Sequence, residues 1–191
     1  MTKMVRDLGS DVADVLIEED RLQKRIRELA AAINDDYKDV DELLLVCVLK
    51  GAFVFLADLS RELQRPHQVD FMGISSYESG TRSTGAVRIV LDLKQDIGGR
   101  HILIVEDIID SGRTLEYICR NLMARSPASL KICTLLNKPA RREVDVPVDY
   151  LGFEIPDEFV VGYGLDFDEI YRNLPYIAVL KPEIFAHLEE S

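Results

Sequence analysis

Seven consecutive apolar residues, Leu43-Leu44-Leu45-Val46-Cys47-Val48-Leu49, leave this chain few ways to fold. A strand that faces water on one side alternates apolar with polar residues. A continuous run needs cover on both faces, and in soluble proteins that is the parallel-sheet arrangement. Further aliphatic-rich runs occur at 102–105 and 130–136, separated by helical patterns at 53–63 and 115–123. A first helix is expected over 18–33, with Leu22, Ile26, Leu29, Ala30 and Ile33 on one face and Arg21, Lys24, Arg25, Arg27 and Glu28 forming a solvated one. The fold class is therefore α/β, a mainly parallel sheet flanked by helices.

Two further β-rich runs, 69–75 and 87–91, flank a long polar connector from Tyr77 to Gly85, which length alone leaves open between a mobile hairpin lid and a plain surface loop. Three more strands are expected at 150–153, 159–161 and 176–180, with little helix between them, and these read as a small β-rich hood. No repeat or Pro/Gly/Ser-rich linker divides the 191 residues. A single domain is expected, with a core at about 36–150 and a hood made of the N-terminal segment and about 150–191.

Lys+Arg 23 against Asp+Glu 34 gives a formal charge of −11, which speaks against a nucleic-acid or anionic-membrane surface. The longest apolar run falls far short of a membrane span. The first residues lack the apolar core of a secretory signal, so a cytoplasmic location is expected. Cys47, Cys119 and Cys133 are odd in number, have no CxxC spacing and sit in apolar surroundings, as buried small hydrophobes in a reducing compartment do.

The chemistry is concentrated in Ile102-Leu-Ile-Val-Glu106-Asp107-Ile108-Ile109-Asp110-Ser111-Gly112-Arg113-Thr114. A buried strand delivers two adjacent carboxylates to its C-terminal end, where open α/β sheets keep their ligands. The loop then adds a third carboxylate, two hydroxyls and a glycine, and opens into a helix N-terminus. Backbone N–H groups, a glycine that allows close approach and Ser/Thr hydroxyls make a receptacle for a phosphate. Acids beside a phosphate cup need a reason. Sugar hydroxyls donate to carboxylates, and a divalent cation can bridge acids to phosphate oxygens, so a ribose phosphate with Mg²⁺ fits.

The segment 105–114 closely resembles the phosphoribosyl-pyrophosphate signature of type I phosphoribosyltransferases, in the hypoxanthine-guanine branch. The likeness covers about 15–188 and includes Leu49-Lys50-Gly51, Ser76-Tyr77, Leu135-Leu136-Asn137-Lys138-Pro139 and 152–166. It implies the type I fold, with its hood and long flexible hairpin loop. It further implies that Glu106 and Asp107 hold the ribose hydroxyls, that Asp110 through Thr114, with Ile108 and Ile109 leading in, cradle the 5-phosphate, and that Asp110 takes the proton from purine N7.

By the same resemblance Lys50 and Gly51 lie along the pyrophosphate, after a cis Leu49–Lys50 peptide, and Lys138 points at purine O6. Phe159 stacks on the base while the Val160 backbone meets its edge. Glu106, Asp107 and Asp166 serve Mg²⁺, and Arg172 clamps the leaving pyrophosphate. Ser76 and Tyr77 open a lid that excludes water. The implied substrates are 5-phosphoribosyl 1-pyrophosphate with hypoxanthine or guanine, the products IMP or GMP, and the assembly a homodimer or homotetramer. An alternative is a non-catalytic regulator of this fold that senses the sugar donor and binds nucleic acid. His67, His101 and His187 match no functional position and are expected at the surface.

Overall fold

The computed structural model describes residues 8–76 and 87–185. In chain order these form β1 (Val12–Ile17), α1 (Glu19–Asp36), β2 (Leu43–Leu49), α2 (Phe53–Glu62), β3 (His67–Ser76), β4 (Val87–Leu91), β5 (His101–Ile109), α3 (Arg113–Met123), β6 (Ser129–Asn137), β7 (Tyr150–Glu154), β8 (Val160–Val161), β9 (Ile177–Leu180) and α4 (Pro182–Phe185). Six strands make one sheet in the order β4-β3-β2-β5-β6-β7. Its neighbours are parallel except for β4, which runs antiparallel to β3 at the edge. A second, antiparallel sheet has the order β1-β9-β8.

The seven-residue apolar run is β2, at the centre of the main sheet. Because side chains alternate along a strand, it serves two cores at once. Leu43, Leu45 and Cys47 pack with Leu22, Ile26, Leu29 and Ile33 of α1 and Phe55, Leu56 and Leu59 of α2. Leu44, Val46 and Val48 pack with Leu115, Ile118 and Leu122 of α3. Each fully buried aliphatic side chain of this kind contributes about 1.5–3 kcal/mol. A third cluster, Val161, Tyr171, Leu174 and Leu180, holds the smaller sheet together.

Several expectations are corrected. The strand at 150–153 belongs to the main sheet, not the hood: β7 pairs parallel with β6, from Cys133↔Tyr150 to Asn137↔Glu154. The charged face of α1 is only partly solvated. Arg25 Nε donates to the Gly152 carbonyl at 3.0 Å and its terminal nitrogen to the Leu151 carbonyl at 2.7 Å, fastening α1 to the edge strand. His67 and His101 are half-buried, bonded to Ser60 Oγ and Ser129 Oγ at 2.8 Å each. His187 lies outside the described residues. Cys47 and Cys133 are buried as expected, whereas Cys119 is half-buried.

Candidate active site

From β2 the chain builds outward to β3 on one side and β5 on the other. The junction between β2 and β5 is thus a topological switch point, where the C-terminal ends of parallel strands leave a crevice for a ligand. Lys50 and Gly51 follow β2 there, after a cis Leu49–Lys50 peptide. Glu106 and Asp107 stand at the end of β5.

Strand β5 outruns its sequence-based limit at 105 because β6 continues the pairing, through Glu106↔Thr134 and Ile108↔Leu136 to Ile109↔Asn137. Both acids therefore lie inside the strand, and alternation sends them to opposite faces. Asp107 turns to the side of Leu103 and Val105, against Gly51, where a Cβ would stand 1.5 Å from Asp107 Oδ2. Glu106 lines the phosphate-cup cavity.

Asp107 is buried and Glu106 half-buried, and both carboxyls are taken out of water at a cost to their charge. Burial pushes the Asp107 carboxyl up to about 6, opposed by the Ile108 N–H that it accepts at 2.8 Å and by the Arg172 charge, and reinforced by Asp166. Burial, then the neighbouring Asp107 charge, holds Glu106 well above the carboxylate range. Glu106 Oε2 is buried with no hydrogen-bond partner. Groups that bring positive charge or hydroxyl donors fit these two sites.

The cup is a cavity of about 100 Å³ lined by Glu106, Ile108, Ile109, Asp110, Ser111, Gly112, Thr114 and Leu115. Gly112 caps α3 with φ of 86°, and a Cβ there would meet the Val144 carbonyl at 2.5 Å. The N-cap glycine offers no side-chain cap and, among the described residues, only Ser111 Oγ meets a first-turn N–H, that of Arg113 at 3.4 Å, so the positive end of the helix faces the cup. The Ser111 carbonyl accepts the N–H groups of Glu143 and Val144 at 3.0 Å each, bracing the loop from outside. Arg113 directs its guanidinium to Glu143 Oε2, with Nε at 2.8 Å, so it joins the cup through its backbone.

Two charge clusters frame the crevice. In the first, Lys50 Nζ meets Glu169 Oε1 at 2.9 Å, and Arg172 meets Glu169 Oε2 at 3.2 Å, Asp166 Oδ1 at 2.9 Å and the Gly164 carbonyl at 2.8 Å. Arg172 Nε is buried without a partner. In the second, Arg141 Nε lies 2.8 Å from Asp110 Oδ1 as an ion pair, yet that buried oxygen takes part in no hydrogen bond and keeps its accepting capacity. Asp157 Oδ1 sits 3.5 Å from Arg141 and 3.9 Å from Lys138 Nζ, bringing the buried Lys138 to the segment that leads into β8. Phe159, just before that strand, is 39% exposed with its ring edge-on to Phe167 at 5.6 Å, and Val160 is buried.

Of the residues singled out in the sequence, Tyr77 and the rest of the connector lie outside the described residues. Glu106, Asp107 and Asp166 are not gathered into a three-acid cation cage, and no such group exists among the described residues. Sequence reasoning passed over Arg141, Asp157 and Glu169. Arg141 had a signal, the basic run Lys138-Pro-Ala-Arg141-Arg142 directly after a strand end. Glu169 had a weaker one, an acid three residues before Arg172.

Residues 16–168 match the model of the phosphoribosyl transferase domain. The chain is 51% identical over 180 residues to the hypoxanthine-guanine phosphoribosyltransferase of Mycobacterium avium, covering 92% of this chain and 89% of the relative. It is 56% identical over 165 residues to the hypoxanthine phosphoribosyltransferase of Salmonella typhimurium, covering 86% and 93%. The crystal structure of the Staphylococcus aureus hypoxanthine phosphoribosyltransferase superposes with a TM-score of 0.89 at 45% identity, over 96% of this chain and 99% of that one. These likenesses give no support to a nucleic-acid-binding regulator. With a polar cup at the head of α3 beside the switch point and enzymes of one kind matched along nearly its whole length, the chain belongs to the phosphoribosyl transferase family, in the branch of the hypoxanthine and hypoxanthine-guanine phosphoribosyltransferases.

Proposed function

We propose that this chain is a purine-salvage enzyme that moves 5-phosphoribosyl from 5-phosphoribosyl 1-pyrophosphate to N9 of hypoxanthine or guanine, giving IMP or GMP and pyrophosphate. The observation that carries this reading is the adjacency of the cup at the end of β5 and the Lys50–Gly51 turn at the end of β2, on neighbouring parallel strands across the switch point. One takes the 5-phosphate and the other the pyrophosphate, with the ribose between them.

Backbone N–H groups and hydroxyls from Asp110 to Thr114 hold the 5-phosphate. Glu106 and Asp107 are assigned to the ribose hydroxyls, and a donor there would relieve the partnerless Glu106 oxygen. Lys50 and Arg172 bind the pyrophosphate, Arg172 through its planar fork. Asp107 and Asp166 are the residues we assign to Mg²⁺, which commonly takes one or two carboxylates and completes its shell with phosphate oxygens and water. When bound, the ion neutralises charge developing on the leaving pyrophosphate.

The C1–oxygen bond to pyrophosphate breaks, the C1–N9 bond forms with inversion, and Asp110 accepts the proton leaving N7. Its Oδ1 is held by the Arg141 ion pair at 2.8 Å rather than by a hydrogen bond, which leaves a lone pair for that proton. Lys138 is a donor only, so it selects a 6-oxo group over the 6-amino group of adenine, while Phe159 offers an exposed face for stacking and Val160 its backbone. Ser76 and Tyr77 open the connector assigned as the lid that keeps water from the electron-poor sugar carbon.

The setting we assign is the cytoplasm, consistent with three free cysteines, and no helix among the described residues is long and apolar enough to cross a membrane. A homo-oligomer, dimeric or tetrameric, is supported by exposed Val69, Phe71, Val90 and Leu91 on the β3–β4 edge. The test is pyrophosphate release with Mg²⁺, donor and base, run beside Asp110→Asn. Wild type turns over, and the variant keeps donor binding while losing roughly 10²–10⁴ in kcat. Undiminished turnover in the variant would remove Asp110 as the base.

A further inference from the structure

We infer that Glu169 is an internal stand-in for pyrophosphate, holding the two leaving-group cations when no donor is bound and competing with pyrophosphate for them. This rests on the assignment of Lys50 and Arg172 to the pyrophosphate. One carboxylate spans both cations, Oε1 to Lys50 Nζ at 2.9 Å and Oε2 to Arg172 at 3.2 Å, as bridging phosphate oxygens would. The link joins the turn after β2 to the segment between β8 and β9, across the crevice.

Glu169 is presented rather than dangling. Its N–H donates to Asp166 Oδ2 at 2.9 Å, and its backbone is left-handed at φ of 62°, close to Asp168 at 51° and Tyr171 at 77°, none of them glycine. Such conformations persist where the surroundings enforce them, and they cluster at functional sites. Arg172 has independent supports in Asp166 and the Gly164 carbonyl, so it stays in position when Glu169 lets go. Lys50 is 65% exposed and has no other ion-pair partner among the described residues. The carboxylate is itself 63% exposed, so its pairs are weak enough for a multiply charged ligand to break. Glu169 therefore aims Lys50 at the site before binding, weakens donor affinity and helps expel the product.

Calorimetric titration with inorganic pyrophosphate and Mg²⁺ tests this on the wild type, Glu169→Gln, Lys50→Met and the double variant. Losing two exposed pairs in Glu169→Gln is expected to tighten pyrophosphate roughly three- to twentyfold. Product inhibition should deepen, and most of the gain should vanish in the Lys50→Met background. Should Glu169→Gln fold poorly, Glu169→Asp, one methylene too short to span both cations, is expected to show a smaller tightening. Unchanged or weaker pyrophosphate binding in a folded Glu169 variant overturns the inference. If Lys50→Met also leaves the affinity unchanged, the assignment of Lys50 to pyrophosphate fails with it; if Lys50→Met weakens binding, only the role of Glu169 falls.

Discussion

Asp107 is held in two conflicting environments, one that burial makes hostile to its charge and one in which a bound cation and sugar would welcome it. Its folded-state value of about 6 lies above the ordinary 3.8, so the folded protein binds more protons than the unfolded chain over that window. Stability from this group is full below about pH 3.8 and is lost as pH rises through about 6. Asp107→Asn is therefore expected to raise the Tm of the ligand-free protein at pH 7–8, by an amount corresponding to roughly 2–3 kcal/mol, and to make little difference below pH 4. Thermal melts across pH check it; a destabilised variant at pH 8 would contradict the burial argument. The motif around Asp107 was legible because three acids, Ser, Gly and Thr fall within nine residues of one chain segment. Arg141, Asp157 and Glu169 were less so, since the partners that matter, Asp110 for Arg141, Lys138 for Asp157 and Lys50 for Glu169, are ones that only the tertiary fold brings near.

At the scale of elements, continuous apolar runs located β2 and the interior of β5 and β6, but not where the pairing stops. That depends on the neighbouring strand: β6 draws β5 out to Ile109, which turned two acids expected side by side into acids on opposite faces. The same dependence misplaced 150–153. A five-residue strand carries no mark of the sheet it joins, and a partner on α1 helps fix it. Replacing Arg25 with Met, which keeps the apolar stem but removes the bonds to the Leu151 and Gly152 carbonyls, is expected to cost about 1–2 kcal/mol in urea denaturation with an unchanged m-value. An unchanged midpoint would show that water replaces those bonds without loss.

Over the whole molecule, alternation in the central strand builds a core on each face of the sheet, and the reversal of strand order at β2 and β5 opens a crevice between the Lys50–Gly51 turn and the loop that follows β5. The surplus of negative charge does not contradict an anionic donor. Lys50, Lys138, Arg141 and Arg172 are gathered at the crevice while many of the acids lie on solvated surface. Phosphoribosyl transfer to 6-oxopurines is tested most directly by competition: purified protein with Mg²⁺, 5-phosphoribosyl 1-pyrophosphate and equal hypoxanthine, guanine and adenine, followed by separation of the nucleotides formed. IMP or GMP with stoichiometric pyrophosphate and no AMP is the expected result. AMP in comparable amount, or no nucleotide at all, would contradict the account.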